Sequence, residues 1–317
     1  MKSKKKYPNL FSYLSSKRLI VCFFAITFII NIKYSSAQTD SSKINYKKFA
    51  GSLSAQLIAH TGSLVGLYDL WYKDYPHTNF HFFNDNEEWL QMDKCGHVTT
   101  SYYVGKIGYG MLKWSNVDEK RAVLFGGGLG WVYLSSIEIF DGYSKNWGFS
   151  LGDFTANTVG AVLFMSQQLQ WKTQRISLKW SYMPTEYAKY RPDLYGDNWT
   201  ETWIKDYNGQ NYWLSFNIAS FLPKESKFPK CLNLALGYGA DGMLGGRTNP
   251  ESYNDILLPK FERNRQFYLS ADLDLTKIQT KSKFLKGVFN TFGFLKIPSP
   301  TLEYHSQKGF IFHGMYF

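Results

Sequence analysis

Residues 136–160 have the sequence SIEIFDGYSKNWGFSLGDFTANTVG, in which one apolar helix ends and another begins. Glu138 and Asp141 stand three apart at the end of the first apolar run, whereas Asp153 and Asn157 stand four apart in the second. Spacings of three and four place side chains on the same helix face. This stretch therefore predicts neighbouring helices that each carry a polar pair on one face.

The half of the chain around this stretch is predicted to form a helical module of about four helices. Its apolar residues recur at helical spacing or in long runs, and proline is scarce. Ser115 or Asn116 can cap the third helix, and Ser150 opens the fourth with a capping-box-like pattern. Glycines cluster in the second and third helices, which predicts close backbone approach. The predicted ranges are residues 49–72, from 88 or 93 to 114, from just after 116–119 to 140, and 150–171.

The remainder of the chain alternates apolar with small or polar residues, which predicts β-strands. The predicted strands are residues 174–183, 211–221, 232–241, 266–275, 301–305 and 310–317. An amphipathic helix is predicted near residues 283–295, suited to cover a core or to lie at a membrane interface. The last strand, ending in Phe317, resembles the end of outer-membrane β-barrel proteins. The fold class is therefore α+β, with a C-terminal antiparallel β-sheet or a small or partial outer-membrane-type barrel.

The beginning of the chain is predicted to be an export signal. Residues 1–37 contain seven Lys or Arg and no acid, so most of the net charge of +11 lies there and nucleic-acid binding is not expected. A short apolar run precedes a cleavage site that ends at Ala37, and Cys22 lies too early for lipid modification to be expected. The predicted division is a signal peptide at 1–37, a helical module at 38–172 and a β region at 173–317.

Apolar helices in the module carry ionisable residues that form a candidate polar site. Burying an unpaired charge costs several kcal/mol, so these groups should meet one another or a ligand. Three interpretations remain open: a closed hydrogen-bond network, a site for a divalent cation such as zinc or manganese, and a hydrolytic or transfer site for a lipid or glycan head group. The candidate catalytic residues are His97, Glu138, Asp141 and Asp153, and the supporting residues are Asp93, Lys94, Asn157 and Gly160.

These residues form the ordered series Asp93-Lys94-x-x-His97, Glu138-x-x-Asp141 and Ser150-x-x-Asp153-x-x-x-Asn157-x-x-Gly160. The series resembles the YfiM-like family of uncharacterised envelope proteins (domain of unknown function DUF 2279), and more distantly the VanZ-like family of membrane proteins. The resemblance covers about residues 91–168. It implies a compact helical module and an envelope location, but no particular reaction.

The function predicted from the sequence is a structural or assembly role at the outer membrane. The alternative is an enzyme that acts on a lipid or cell-wall head group at the polar site. The expected location is the outer membrane, or the periplasm facing it. The expected partners are membrane lipid or outer-membrane proteins, and the sequence specifies neither an oligomeric state nor a cofactor beyond a possible divalent metal.

Overall fold

A computed structural model describes residues 43–68 and 76–317. The predicted signal peptide at residues 1–37 lies outside the described residues. Residues Tyr46–Phe317 form one compact unit, in which a set of helices precedes an antiparallel sheet. The predicted α+β fold is thereby confirmed.

The helical half contains long helices close to the predicted ranges. They are α1 (Tyr46–Leu67), α2 (Met92–Trp114), α4 (Leu129–Asp141) and α5 (Leu151–Trp171), and the short helix α3 (Glu119–Arg121) lies between α2 and α4. A 3₁₀ turn, Glu88–Gln91, precedes α2, and a π-helical turn, Ala122–Gly126, follows α3, so the predicted third helix is divided.

The caps agree with prediction at α5 but not at α3. The Ser150 hydroxyl accepts a hydrogen bond from the Asp153 amide at 3.0 Å, as predicted. The cap of α3 is Asp118, which accepts from the Arg121 amide, and neither Ser115 nor Asn116 has this role. The reason is that the Ser115 hydroxyl is engaged with the Met111 carbonyl at the end of α2.

Glycines allow α2 to contact the neighbouring helices through backbone atoms, as the glycine clusters predicted. A Cβ on Gly105 would lie 2.3 Å from the Gly127 carbonyl oxygen. A Cβ on Gly130 would lie 2.0 Å from the Ser101 carbonyl oxygen, and one on Gly160 would lie 2.1 Å from an α2 carbonyl oxygen. Only hydrogen fits at these crossings, so α2 is held against both α4 and α5.

The second half forms a six-stranded antiparallel sheet in the order β1-β2-β3-β6-β7-β8. Its strands are β1 (Ile176–Tyr182), β2 (Gln210–Asn217), β3 (Leu232–Asp241), β6 (Asn264–Leu273), β7 (Ser299–His305) and β8 (Gly309–Tyr316). Among the described residues β1 and β8 are edge strands, so the sheet does not close into a barrel. Short elements that were not predicted are α6 (Pro192–Tyr195), α7 (Trp199–Lys205) and the hairpin of β4 (Ser252–Tyr253) and β5 (Ile256–Leu257).

The amphipathic helix α8 (Lys283–Phe292) is shorter than predicted. A turn at Gly293 and Phe294 ends the helix, and Leu295 forms a bridge with Trp180 of β1. The Trp180 amide donates to the Phe294 carbonyl, and the Lys296 amide donates to the Trp180 carbonyl, both at 2.9 Å. The predicted helix therefore ends where the chain joins the sheet edge.

One face of the sheet is apolar, and the helices cover only part of it. At β1, Leu178 is buried in a cluster with Tyr102 of α2 and Phe164 of α5. From β2 onward the same row of paired residues is partly exposed. The row, in strand order, is Leu178, Leu214, Leu236, Leu269, Leu302 and Phe312.

The opposite face of the sheet is buried, and it holds charged and polar side chains beside an aromatic cluster that includes Trp213 and Tyr268. Lys179, Asp272 and Lys296 are fully enclosed, and the Lys179 ammonium lies 2.8 Å from the Asp272 carboxylate. The Lys296 ammonium donates to the Ala271 carbonyl at 2.9 Å. Each buried charge is therefore paired or hydrogen-bonded, as burial demands. The sheet thus encloses polar groups and turns apolar groups outward.

Among the described residues, one helical stretch is long and apolar enough to cross a membrane by length and composition. It is Glu119–Asp141, which includes α3 and α4. Core helices pass the same test. Here α4 packs against α2 and α5 and carries the buried carboxyl of Glu138, while 33% of the apolar window is buried, so one side of the stretch contacts the protein.

Replacing Gly105 with Ala should destabilise the protein by about 2 kcal/mol, because the added methyl group meets the Gly127 backbone and forces the helices apart. Gly110 is the matched control, since a Cβ there meets no atom within 4 Å on the same helix. Gly110→Ala should leave stability unchanged or raise it by about 0.5–1 kcal/mol. Urea unfolding of both variants measures the difference, and equal effects would contradict backbone contact at Gly105.

The buried Lys296 should make stability depend on pH. Burial lowers its pKa to about 8 from an ordinary value of 10.5, with Asp272 opposing and Lys179 adding to the shift. Between these values the unfolded chain binds a proton that the folded chain lacks, so this group stabilises the fold progressively as pH rises through that window.

The free energy of unfolding of wild type, minus that of Lys296→Met, should therefore be larger at about pH 10 than at about pH 7. Subtraction removes the contributions of other titrating groups that the two proteins share. Denaturant unfolding in detergent at both pH values measures this difference. A constant or shrinking difference would contradict the lowered pKa.

Candidate functional site

Three helices turn polar side chains toward one position. His97 comes from α2, Glu138 from the end of α4, and Asp153 and Asn157 from the start of α5. The His97 Nδ1 atom lies 2.9 Å from Asn157 Oδ1 and 3.7 Å from Glu138 Oε1. Its Nε2 atom lies 3.8 Å from Asp93 Oδ1 and 4.0 Å from Asp153 Oδ1. The imidazole therefore stands at the centre of these residues, which we call the polar cluster.

Lys94 supplies a positive charge at one side of the polar cluster. Its ammonium lies 2.7 Å from an Asp85 carboxylate oxygen, 2.8 Å from Asp153 Oδ1 and 3.6 Å from Asp93 Oδ2. Asp85 was not predicted as a site residue. It lies in the loop before α2 and accepts a hydrogen bond from the Ser150 hydroxyl at 2.6 Å. Ser150 thus caps α5 and also holds Asp85 near Lys94.

Tyr207 joins the polar cluster from the second half of the chain. Its hydroxyl donates to Asp93 Oδ1 at 2.8 Å, across a sequence separation of 114 residues. It lies between α7 and β2, in the segment Lys205-Asp206-Tyr207-Asn208-Gly209-Gln210. No local sequence pattern predicts this contact, because it depends on how the sheet packs beside α2.

The start of α2 is fixed by an unusual backbone conformation. Trp89, Leu90 and Gln91 have positive φ angles of 50°, 49° and 64°, which non-glycine residues seldom adopt. The Leu90 carbonyl accepts hydrogen bonds from Tyr238 and from Arg265, both in the sheet. Such strain persists only where surrounding contacts enforce it, and it concentrates at functional sites. Here it sets the position of Asp93 relative to the sheet.

Burial, with an excess of carboxylates over cations, raises the pKa values of two carboxyl groups in the polar cluster, those of Glu138 and Asp153. Burial, followed by the charges of Asp141 and Asp93, raises the pKa of Glu138 to about 9. Burial and the charge of Asp93 also raise the pKa of Asp153. For Lys94, burial lowers the pKa, but the carboxylates of Asp93 and Asp153 outweigh it and the net shift is upward. One lysine therefore does not neutralise the cluster.

Some buried atoms of the polar cluster lack hydrogen bonds. Within residues 43–68 and 76–317, Glu138 Oε1, Asp153 Oδ1 and Asn157 Nδ2 have no hydrogen-bond partner, although Asp153 Oδ1 has its ion-pair contact with Lys94. Most buried polar atoms in proteins are paired. The side chains of Asp93 and His97 are 25% and 17% exposed, so solvent reaches the cluster from that side. The network is thus neither closed nor fully satisfied.

Two of the predicted site residues, Asp141 and Gly160, act on the polar cluster indirectly. Asp141 lies near enough to Glu138 for its charge to raise the pKa of that carboxyl. Gly160 lies at the crossing of α2 and α5, where its lack of a side chain lets the helices touch. Asp141 thus contributes charge, whereas Gly160 positions the helices that carry the polar cluster.

Removal of the Lys94 charge should destabilise the protein. Lys94→Met leaves several largely buried carboxylates without a counter-charge, and a loss of about 3 kcal/mol is expected. Adding Asp153→Asn should restore part of that loss, because it removes one of the repelling charges. The control is Lys189→Met in the exposed pair with Glu186, which should change stability by less than about 0.5 kcal/mol. Denaturant unfolding of the wild type, the single variants Lys94→Met and Asp153→Asn, their double variant and the control measures these effects, and additive losses in the double variant would contradict the coupling.

A comparison with protein families identifies the helical region. Residues 81–167 match the family model described as "Predicted periplasmic lipoprotein (DUF2279)". This range includes α2, α4, most of α5 and Asp85, and it confirms the predicted resemblance to an envelope family. The description supports an exported, periplasmic protein. Cys22, considered above for lipid modification, lies outside the described residues, and the VanZ-like resemblance stays a prediction. No curated protein and no solved structure matches the chain.

Proposed function

We propose that the protein has a structural or assembly role in the envelope and rests on the outer membrane; the match of residues 81–167 to a family described as predicted periplasmic lipoproteins supports the envelope location. The observation that carries this proposal is the apolar face of the sheet. The helices bury this face at β1 and leave it exposed from β2 to β8. We call the exposed part the outward face.

The outward face is a continuous surface of large apolar side chains. Leu236 is 48% exposed, Leu269 is 43% exposed and Phe312 is 71% exposed, and all belong to one row of paired residues. An adjacent row adds the exposed Phe267, Tyr304 and Phe310. Contiguous apolar surfaces of this kind mark sites of contact with a protein or a membrane. The outward face therefore needs an occupant in the cell.

The polarity of the sheet favours lipid as that occupant. The enclosed face holds charged and polar side chains such as Lys179 and Asp272 beside the aromatic cluster of Trp213 and Tyr268, while the outward face holds leucines and exposed phenylalanines. This arrangement is typical of sheets whose outer surroundings are hydrocarbon and whose interior is polar. A soluble sheet that packs against helices normally has the opposite polarity. Here the helices and the proposed lipid share the apolar face.

Helix α8 supports the same orientation. The described helix has no buried residue, and its apolar side chains Phe284, Leu285 and Phe292 are exposed. Lys283 and Lys286 lie on the same helix. Apolar residues combined with lysines suit a helix that lies in the plane of a membrane interface, where lysines attract anionic head groups. Of the two roles predicted for this helix, the interfacial one fits its exposure.

Replacing an outward leucine with glutamate should weaken membrane binding. Burial of one leucine contributes about 1.5–3 kcal/mol, so Leu236→Glu or Leu269→Glu should lower the partition coefficient into lipid at least about tenfold. Flotation of the full chain with vesicles of phosphatidylethanolamine and phosphatidylglycerol measures the partition. Leu257→Glu is the matched control, because Leu257 is 82% exposed but lies in the β4–β5 hairpin outside the six-stranded sheet.

Membrane fractions from cells then test which membrane is used. Recovery of the wild type with outer-membrane markers, and loss of the Leu236 and Leu269 variants from that fraction, would support the proposal. Recovery with inner-membrane markers would contradict the outer-membrane assignment. Equal flotation of all variants would contradict the outward face as a lipid surface and would leave a protein partner as its occupant.

A second candidate function is an enzyme that acts on a lipid or cell-wall head group at the polar cluster. The observation that favours it is the solvent access of Asp93 and His97 beside buried atoms that lack hydrogen bonds. The two functions differ in what they require. An enzyme needs His97 for activity but not for membrane attachment, whereas the structural role needs the outward face.

A further inference from the structure

We propose that Asp93, His97 and Asp153 bind a divalent transition-metal ion, Zn²⁺ in first place. The ligand atoms of these three residues all lie within 4.8 Å of one another. Two carboxylates and an imidazole are established ligand types for zinc, and three protein ligands leave a coordination position for water or a substrate. This site is independent of the outward face.

The distances around His97 Nε2 suit an ion better than hydrogen bonds. Nε2 lies 3.8 Å from Asp93 Oδ1 and 4.0 Å from Asp153 Oδ1. A nitrogen-to-oxygen hydrogen bond spans about 2.7–3.2 Å, so neither carboxylate is within reach of a proton on Nε2. Ligand atoms about 2.1 Å from a tetrahedral zinc ion stand about 3.4 Å apart. The ligand atoms, all within 4.8 Å of one another, would therefore have to draw together by between about 0.4 and 1.4 Å to complete the site.

Asn157 prepares His97 to act as a ligand. The Asn157 Oδ1 atom only accepts hydrogen bonds, and it lies 2.9 Å from His97 Nδ1. Nδ1 therefore carries the hydrogen, and in the neutral ring Nε2 presents its lone pair toward Asp93 and Asp153. A hydrogen bond from the second ring nitrogen fixes the tautomer in most histidine metal sites.

Glu138 gives an independent indication that a cation belongs here. Its side chain is almost completely buried, and its Oε1 atom, 3.7 Å from His97 Nδ1, has no hydrogen-bond partner among the described residues. Three carboxylates, those of Asp85, Asp93 and Asp153, lie within 4 Å of the Lys94 ammonium, and Glu138 lies beside His97. A divalent ion between Asp93 and Asp153 would supply a second positive charge to these carboxyl groups.

Neighbouring groups already hold the carboxylates in place. The Tyr207 hydroxyl donates to Asp93 at 2.8 Å, and Lys94 lies 2.8 Å from Asp153 while it also pairs with Asp85 at 2.7 Å. Such outer contacts orient metal-binding carboxylates and tune their affinity. Lys94 can remain with Asp85 when Asp153 binds the ion, because both carboxylates are within its reach.

The ligand set also selects among metals. One imidazole nitrogen and two carboxylate oxygens suit Zn²⁺ or Mn²⁺, whereas Mg²⁺ prefers sites made only of oxygen. Zn²⁺ should bind more tightly than Mn²⁺ at a site of mixed nitrogen and oxygen ligands. The proposal therefore specifies an order of affinity as well as a location.

The test uses the full chain, purified from membranes in detergent without a histidine tag and stripped with a chelator. Calorimetric titration with Zn²⁺, Mn²⁺ and Mg²⁺ gives stoichiometry and affinity, and thermal unfolding reports stabilisation by the bound ion. We expect one Zn²⁺ per chain, weaker Mn²⁺ binding and no Mg²⁺ binding. The absence of a stoichiometric Zn²⁺ or Mn²⁺ site in the wild type would overturn the proposal without any variant.

Variants then locate the site. Asp93→Asn keeps an oxygen that can accept the hydrogen bond from the Tyr207 hydroxyl. Asp93→Asn and His97→Gln should each weaken Zn²⁺ binding at least about 100-fold, since loss of an outer contact alone weakens metal affinity 10–100-fold. His77→Gln and Asp197→Asn are the matched controls and should bind as the wild type does, because both residues are exposed and lie outside the polar cluster. Circular dichroism without metal establishes that each variant is folded. Unchanged Zn²⁺ affinity in folded Asp93→Asn protein would place the ion elsewhere and sink the proposal.

Discussion

Backbone contact between α2 and the two helices beside it is the constraint on which the structure depends. Gly105, Gly130 and Gly160 remove the side chains that would otherwise keep the helices apart. The same helix then serves two environments, because His97 faces the polar cluster while Tyr102 packs on Leu178 of the sheet. A shift of α2 by the width of one methyl group would disturb the cluster and the covering of β1 together.

The local part of the site could be predicted from the sequence. Asp93 and His97, or Asp153 and Asn157, share a face because a helix repeats every 3.6 residues. Apolar helices with charges at such positions have to bring the charges together, since isolated burial is too costly. Asp85 and Tyr207 could not be found in this way. Their contacts bridge a loop and a distant strand, and they depend on packing that no short period in the sequence encodes.

For the sheet, the sequence predicts the strands but not which of their two faces is enclosed. Alternation predicted strands with one apolar face, and the observed pairing places Leu214, Leu236 and Leu269 side by side as expected. A period of two distinguishes the faces but does not state which one is enclosed. The enclosed face is the one that carries Lys179 and Asp272, which form a buried ion pair between two strands of the sheet. With this ion pair on the enclosed face, the leucine row lies on the opposite face, toward the surroundings.

The free edge of β8 affects how the chain can travel through an aqueous compartment. Its outer backbone groups have no strand beside them in the described part of the chain, and Phe310, Phe312 and Met315 project next to them. An unprotected edge flanked by aromatic side chains is a template for another extended chain. Folded copies that meet in water therefore present one another with an open edge. A covering over β8, of lipid or of another chain, would close that route to aggregation.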